Sequence, residues 1–344
     1  MPYILITLTL LLSDYTNLRK AGVAEFEAGH YAQAEALIRT SVESARANND
    51  PYAEALGDSA LGDTLHAQAR FLEAAREYRT AISLLNQYPD SSHASAIVLR
   101  NLASDLTAQG EYREARTLLK EASQLISMYK VRDPALNAEI ENSIGVIQFH
   151  EGSIDKAGGS FTHAAAIPSP GLWGILSNLG HVYQIRRQYA KAEEAYKESL
   201  QLGEVRLGPQ HPSLSILHNS LGSLYMDMGR FKEAEIQFQH SFALLDHADL
   251  SFNEAAIMDT LYQLARVCVA RNEEAGARPL LERAAAIARK HTNEGEMPET
   301  AAIFDLYSRV LKELSNASEA EHVQNEARRI RAAMALTVPI GNLQ

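Results

Sequence analysis

His150-Glu151 begins the pattern of a metal-binding helix, in which a second histidine four residues after the first completes a zinc site. Gly152-Ser153-Ile154 follow instead, so that ligand is missing. The other histidines are scattered, and the nearest approach to a cluster, His211 and His218 with His240 and His247, is explained by loop and surface positions. No glycine-rich loop ends in Gly-Lys-Ser/Thr, and neither Gly-x-Ser-x-Gly nor Cys-x-x-Cys occurs. The single cysteine, Cys268, excludes an internal disulfide framework and sits in an apolar run with Val267 and Val269, as a core thiol would. Gly158-Gly159 would weaken a helix by about 1 kcal/mol each relative to alanine and mark a bend, not a phosphate site. These residues predict no catalytic site, no metal and no cofactor, and hence a protein that is not an enzyme.

The chain of 344 residues carries 32 basic against 43 acidic side chains, a net charge of −11, which repels phosphate backbones and argues against nucleic acid as a partner. With 46% hydrophobic residues it is long enough for two ordinary domains or one elongated array. Tyr3 to Leu12 is an apolar run of ten residues, too short to span a bilayer as a straight helix. No Lys or Arg precedes it and no small-residue cleavage site follows. It reads as a hydrophobic lead-in to the first helices, as the core of a signal peptide, or as the remnant of a longer signal. Membrane association or export rests on this segment alone, and a cytoplasmic location is otherwise favoured.

The elements that must position any site declare themselves as a repeat. Leu179 to Leu200 and Leu221 to Phe242 match at Leu179/Leu221, Gly180/Gly222, Tyr183/Tyr225, Tyr189/Phe231, Ala192/Ala234, Tyr196/Phe238 and Ser199/Ser241, an offset of 42 residues. Carried outward, the alanine recurs as Ala34, Ala74, Ala115, Ala157, Ala192, Ala234, Ala277 and Ala320. Twelve residues before it come Gly22, Gly62, Ala103, Gly145, Gly180, Gly222, Ala265 and Ser308. Seven residues after it come Ser41, Ala81, Ala122, Ala164, Ser199, Ser241, Ala284 and Ala327.

Three columns of small residues through eight copies mean two closely packed antiparallel helices per copy. Leu176, Leu179, Gly180 and Tyr183 form one apolar stripe with a notch in it, and Ala192, Ala195, Tyr196 and Ser199 form the facing stripe. Breakers fall between copies, at Asp50-Pro51, Pro89-Asp90, Asp133-Pro134, Pro168 to Gly171 and Gly208-Pro209, with polar stretches at 247–253 and 291–299. The spacing into the fifth copy is 35 residues, not the usual 40 to 43, which predicts a tight connection at the double-proline turn. Polar residues at the Tyr183 position (Glu25, Gln148) and at the Tyr196 position (Gln324) make the first, fourth and last copies the most divergent. The charged helix from Asn316 to about Ala335 suits a C-terminal cap, and 336–344 a loose tail.

These columns, the 42-residue spacing and the Leu207-Gly208-Pro209-Gln210-His211-Pro212 linker resemble the tetratricopeptide repeat, in the longer variety found in kinesin light chains. The resemblance implies an all-α fold, an α-α superhelix of about eight helical hairpins over residues 15–335, with 1–14 an apolar N-terminal segment. It also implies that the first helix of each hairpin lines a concave groove. The stripe opposite the leucine-glycine face then supplies Arg100, Asn101, Asn142, Ser143, Asn178, His181, Asn219, Tyr262 and Arg266 as peptide-binding candidates. An amide side chain both donates and accepts, so the asparagines suit the backbone of an extended peptide, as in the kinesin light chain family. They are staggered, however: Asn101 and Asn178 lie two residues before the small column, Asn142 and Asn219 three before it. Arg100 and Arg266, with Arg19, would add positive charge suited to a carboxylate-bearing partner. The expected function is a non-catalytic interaction scaffold or adaptor for a protein or peptide. The alternatives are an exported or membrane-tethered envelope component and a peptide-sensing regulator acting through a separate effector.

Overall fold

Small residues at fixed spacing let helix backbones approach, and the chain forms helical hairpins wherever the columns recur. A computed structural model describes residues 15–246, 254–291 and 298–337; the apolar segment Tyr3 to Leu12, most of the two polar stretches and the tail beyond Thr337 lie outside them. Two compact units divide between His211 and Pro212. The first contains five hairpins: α1 (Tyr15–Glu27) with α2 (Tyr31–Ala47), α3 (Pro51–Ala67) with α4 (Phe71–Leu85), α5 (Ser92–Ala108) with α6 (Tyr112–Met128), α7 (Pro134–His150) with α8 (Ile154–Ala165), and α9 (Leu172–Ile185) with α10 (Tyr189–Leu207). The second contains three: α11 (Ser215–Asp227) with α12 (Phe231–Asp246), α13 (Glu254–Ala270) with α14 (Glu274–His291), and α15 (Pro298–Glu313) with α16 (Ala317–Thr337).

All eight alanines of the central column are fully buried. The residue one turn after each alanine decides what the facing column must be. Tyr78, Phe161, Tyr196 and Phe238 lay their rings on Gly62, Gly145, Gly180 and Gly222, where an added Cβ would stand 2.5–2.6 Å from a ring carbon. Ile38 sits on Gly22 in the same way. Where the residue is Leu119, Leu281 or Gln324, the facing position is Ala103, Ala265 or Ser308. Notch and filler are thus matched in volume, as close packing requires. The third column also makes hydrogen bonds: Ser41 and Ser199 Oγ donate to the carbonyls of Tyr15 and Trp173, both at 2.5 Å, tying the end of each hairpin to its start.

A fourth column closes the hairpins. The residue five before each alanine has positive φ in all eight copies: Gly29, Ala69, Gly110, Gly152, Arg187, Gly229, Asn272 and Ser315. The next residue donates its N–H back to the carbonyl five positions earlier, as in Arg70 to Leu65, Gln188 to Tyr183 and Asn316 to Leu311. This is the left-handed helix stop that glycine favours. Between hairpins, Asp50 and Asp133 cap α3 and α7 by accepting from Ala53 and Leu136 N–H at 3.0 Å, each followed by proline in the first turn.

Three expectations change. The short spacing into the fifth copy comes from a shorter helix: α8 has 12 residues, and the connection that follows, 166–171, is longer than the three residues 48–50 between α2 and α3. α8 runs unbroken through Gly158-Gly159, and Gly158 lets α9 approach, its missing Cβ facing Val182 at 3.1 Å. The last helix continues to Thr337, so the first two residues assigned to a loose tail are helical. The polar residues of the divergent copies are engaged: Glu25 binds His30 at 2.7 Å, Gln148 accepts from Ser160 at 3.2 Å, and Gln324 donates to Asp305 at 3.0 Å.

Candidate functional site

The first helices of the hairpins share one open face in the first unit, and three adjoining pockets lie along it. One, of about 300 Å³, lies among Phe26, Asp63, His66, Tyr78, Arg100 and Asn101. The next, of about 230 Å³, shares His66 and Ser104 with the first and adds Phe71, Asn142 and Ser143. The third, of about 320 Å³, shares Val146 and His150 with the second and adds Phe149, Asn178 and His181. Counted from the small column, the first-helix lining positions are −3, −2, +1, +4 and +5, a single helical stripe. Asp63, Ser104, Val146 and His181 are all +1, and Phe26, His66, Thr107 and Phe149 are all +4.

Six of the nine sequence-predicted residues therefore line one groove: Arg100, Asn101, Asn142, Ser143, Asn178 and His181. Asn219, Tyr262 and Arg266 belong to the second unit. The asparagines also join successive first helices. Asn101 Nδ2 donates to Asp63 Oδ1 at 2.6 Å, Asn178 Nδ2 to Asn142 Oδ1 at 2.9 Å, and Asn219 Nδ2 to Thr260 Oγ1 at 3.0 Å. For Asn142 and Asn178 the stagger in the sequence is the offset between acceptor and donor on neighbouring helices. Ser143 Oγ donates to the Glu139 carbonyl of its own helix at 2.9 Å.

Of the arginines expected to make the groove positive, Arg100 is paired with a carboxylate and Arg266 with a neutral amide. Arg100 Nη2 meets Glu139 Oε2 at 2.6 Å, which offsets its charge, and Arg266 donates to Gln263 Oε1 at 2.7 Å with its guanidinium 5.9 Å from the Tyr262 ring centroid. The first pocket is acidic instead. Burial pushes the Asp63 carboxyl up against the opposing pull of Tyr78, Arg100, His66 and Asn101. Tyr78 donates to Asp63 Oδ1 at 2.8 Å, and burial with the adjacent carboxylate drives its hydroxyl far up. Behind His66, the fully buried Asp105 holds His66 Nδ1 at 3.1 Å and accepts from Gln109 at 2.9 Å.

His66, His150 and the aromatic rings of Phe26, Phe71 and Phe149 on this face were not among the sequence candidates, whereas His181 was. His150 stacks on Tyr112, ring centroids 5.8 Å apart, and His181 meets the Tyr196 edge at 5.6 Å. His218 and His240 pack edge to face at 5.2 Å in the second unit, whereas His211 belongs to the first; His247 lies outside the described residues. Among the described residues no three His, Cys, Asp or Glu side chains converge as a metal site. Cys268 is half-buried, and burial pushes its thiol up. The long α10 returns to the end of α1: Arg206 Nη2 lies 3.6 Å from Glu27 Oε1, and the buried His211 ring donates to the Glu27 carbonyl, beside the Phe26 wall. No helix among the described residues is long and apolar enough to cross a membrane.

The tetratricopeptide repeat family matches residues 53–126 and 174–246, which contain both ends of the groove. Among solved structures, BtubC (BKLC) from P. vanneervenii is similar over 68% of this chain and 93% of its own, at 22% identity and a TM-score of 0.54. A chain of the APC/C hetero-tetramer Cut9-Hcn1 is similar over 91% of this chain, at 16% identity and a TM-score of 0.64; this chain spans about half of it (52%). Repeats of a putative kinesin light chain from Podosopora anserina align over 59% of this chain and 99% of theirs, at 20% identity and a TM-score of 0.49. Among curated proteins no sequence match is found.

Proposed function

For a tetratricopeptide-repeat protein whose repeats resemble those of kinesin light chains, we propose that the first unit holds an extended segment of a partner protein in its groove, and that the chain acts as a non-catalytic adaptor. The observation that carries this reading is the continuity of three pockets along α3, α5, α7 and α9, each sharing residues with the next. Such a run suits a peptide several residues long better than a compact small molecule. The walls alternate aromatic surface (Phe26, Phe71, Phe149) with polar atoms, so apolar contact supplies affinity and a few hydrogen bonds set direction. The asparagine bridges preorganise the floor, which lowers the ordering cost of binding.

Random-peptide display against the full chain tests this, with Ser143→Trp as the groove-filling variant, since Ser143 is only half-buried. Peptides selected on the natural chain should bind the filled groove at least ten-fold more weakly, while the melting temperature stays the same. Selected peptides that bind both proteins equally would place the binding surface elsewhere.

A further inference from the structure

The first pocket contains a buried polar atom that the fold leaves unused, together with a carboxyl, Asp63, that receives hydrogen bonds from the neutral donors Tyr78 and Asn101. Asn101 is 7% exposed and lines the pocket. The amide turns Nδ2 toward Asp63 Oδ1, and Asn101 Oδ1 is left buried with no partner. A buried acceptor without a donor is costly unless something supplies one. Asp63 lies near a single arginine, Arg100, which is already bound to Glu139, while Asp105 holds His66 from behind. Arg100 Nε is also buried and unpartnered, a donor waiting for a carbonyl. Phe26 and the edge of His66 form the apolar side.

On the reading that the groove binds an extended peptide, we propose that this pocket is its specificity subsite and takes a cationic side chain, arginine or lysine, of the partner segment. The cationic head donates to Asp63 and Asn101 Oδ1, its methylene stem lies along Phe26, and a main-chain carbonyl of the same segment accepts from Arg100 Nε. The expected partner is therefore basic at this position. That reverses the polarity that Arg100 suggests when its pairing with Glu139 is not seen.

The probe is N-acetyl-arginine N-methylamide, titrated against the full chain by calorimetry, with the citrulline analogue as its uncharged match. The arginine amide should bind saturably, and the citrulline amide at least ten-fold more weakly. Asp63→Asn should weaken the arginine amide by a similar factor. Because that substitution also touches the Tyr78 and Asn101 hydrogen bonds, Ser104→Lys is the second variant. It sets a resident cation on the half-buried rim of the pocket and should abolish binding with the melting temperature unchanged. Equal binding of the two amides, absence of saturable binding, or binding undiminished in Ser104→Lys would overturn the proposal. Display-selected peptides separate the two readings. Peptides that lose affinity for Ser143→Trp but carry no common basic residue and ignore Asp63→Asn would overturn the cationic subsite and keep the groove. Saturable arginine-amide binding without any groove-dependent peptide would keep the pocket and remove the peptide reading.

Discussion

Asp58 and Asp63 lie five residues apart on α3 and burial pushes both carboxyls up, yet their hydrogen bonding differs. Asp63 opens to the groove and receives two hydrogen bonds, from Tyr78 and Asn101. Asp58 is 1% exposed, its Oδ2 has no partner, and its charged neighbours are Glu77, Glu54 and Arg46, the last already bound to Glu54 at 2.8 Å. Burial, with the nearby carboxylates, pushes Asp58 up to about 7. One side of the helix presents a carboxyl to the groove, and the other hides one with an unpartnered oxygen. The contrast separates a buried acid that donors satisfy from one that they leave partly unsatisfied.

The sharpest way to break this comparison is pH. A carboxyl near 3.9 in the unfolded chain and about 7 in the folded one costs nothing below pH 4, progressively destabilises the fold as pH rises, and reaches its full penalty above pH 7. That penalty is at most about 4 kcal/mol. Asp58→Asn should raise the urea midpoint at pH 8 and flatten its fall between pH 5 and 8; an unchanged pH profile would mean that Asp58 is not the group responsible. Gly62→Ala comes next. Its Cβ would stand 2.5 Å from Tyr78 Cε1, so the ring must leave the notch at a cost of about 1–3 kcal/mol, taking its hydroxyl from Asp63. A melting temperature equal to the natural chain's would contradict the notch. Tyr78→Phe removes only the hydroxyl and should cost about 1 kcal/mol while keeping the packing, which isolates the hydrogen bond to Asp63. The smallest effect is expected at the stop of the same helix. Ala69 has φ +58°, and Ala69→Gly should stabilise by up to about 1 kcal/mol in thermal melts, whereas the same change at a right-handed helical position would destabilise.

Much of this was legible. The alanine column gave all eight hairpins, and Asp-Pro at 50–51 and 133–134 marked two helix starts to the residue. Six of the candidate residues fall together along the pockets of the first unit, because a helix of known phase has only one face opposite its buried one. Two local rules were present in the sequence and went unread. Glycine accompanies Tyr78, Phe161, Tyr196 and Phe238, while alanine or serine accompanies Leu119, Leu281 and Gln324. The left-handed stop hid because only four of its eight residues are glycine.

What the sequence determined by itself is everything set by periodicity: the helices, their pairing, and which positions face inward. Those features depend on contacts within about one repeat, and a repeat announces them eight times. What only the tertiary structure decided is the charge and chemistry of the groove. Arg100 is neutralised by Glu139, 39 residues away, and Asn101 is oriented by Asp63, 38 residues away. Pairings between neighbouring first helices are made once each and follow no column, so composition and spacing carry no trace of them. They turn an apparently basic groove into an acidic pocket because an ion pair cancels a charge that the sequence still counts.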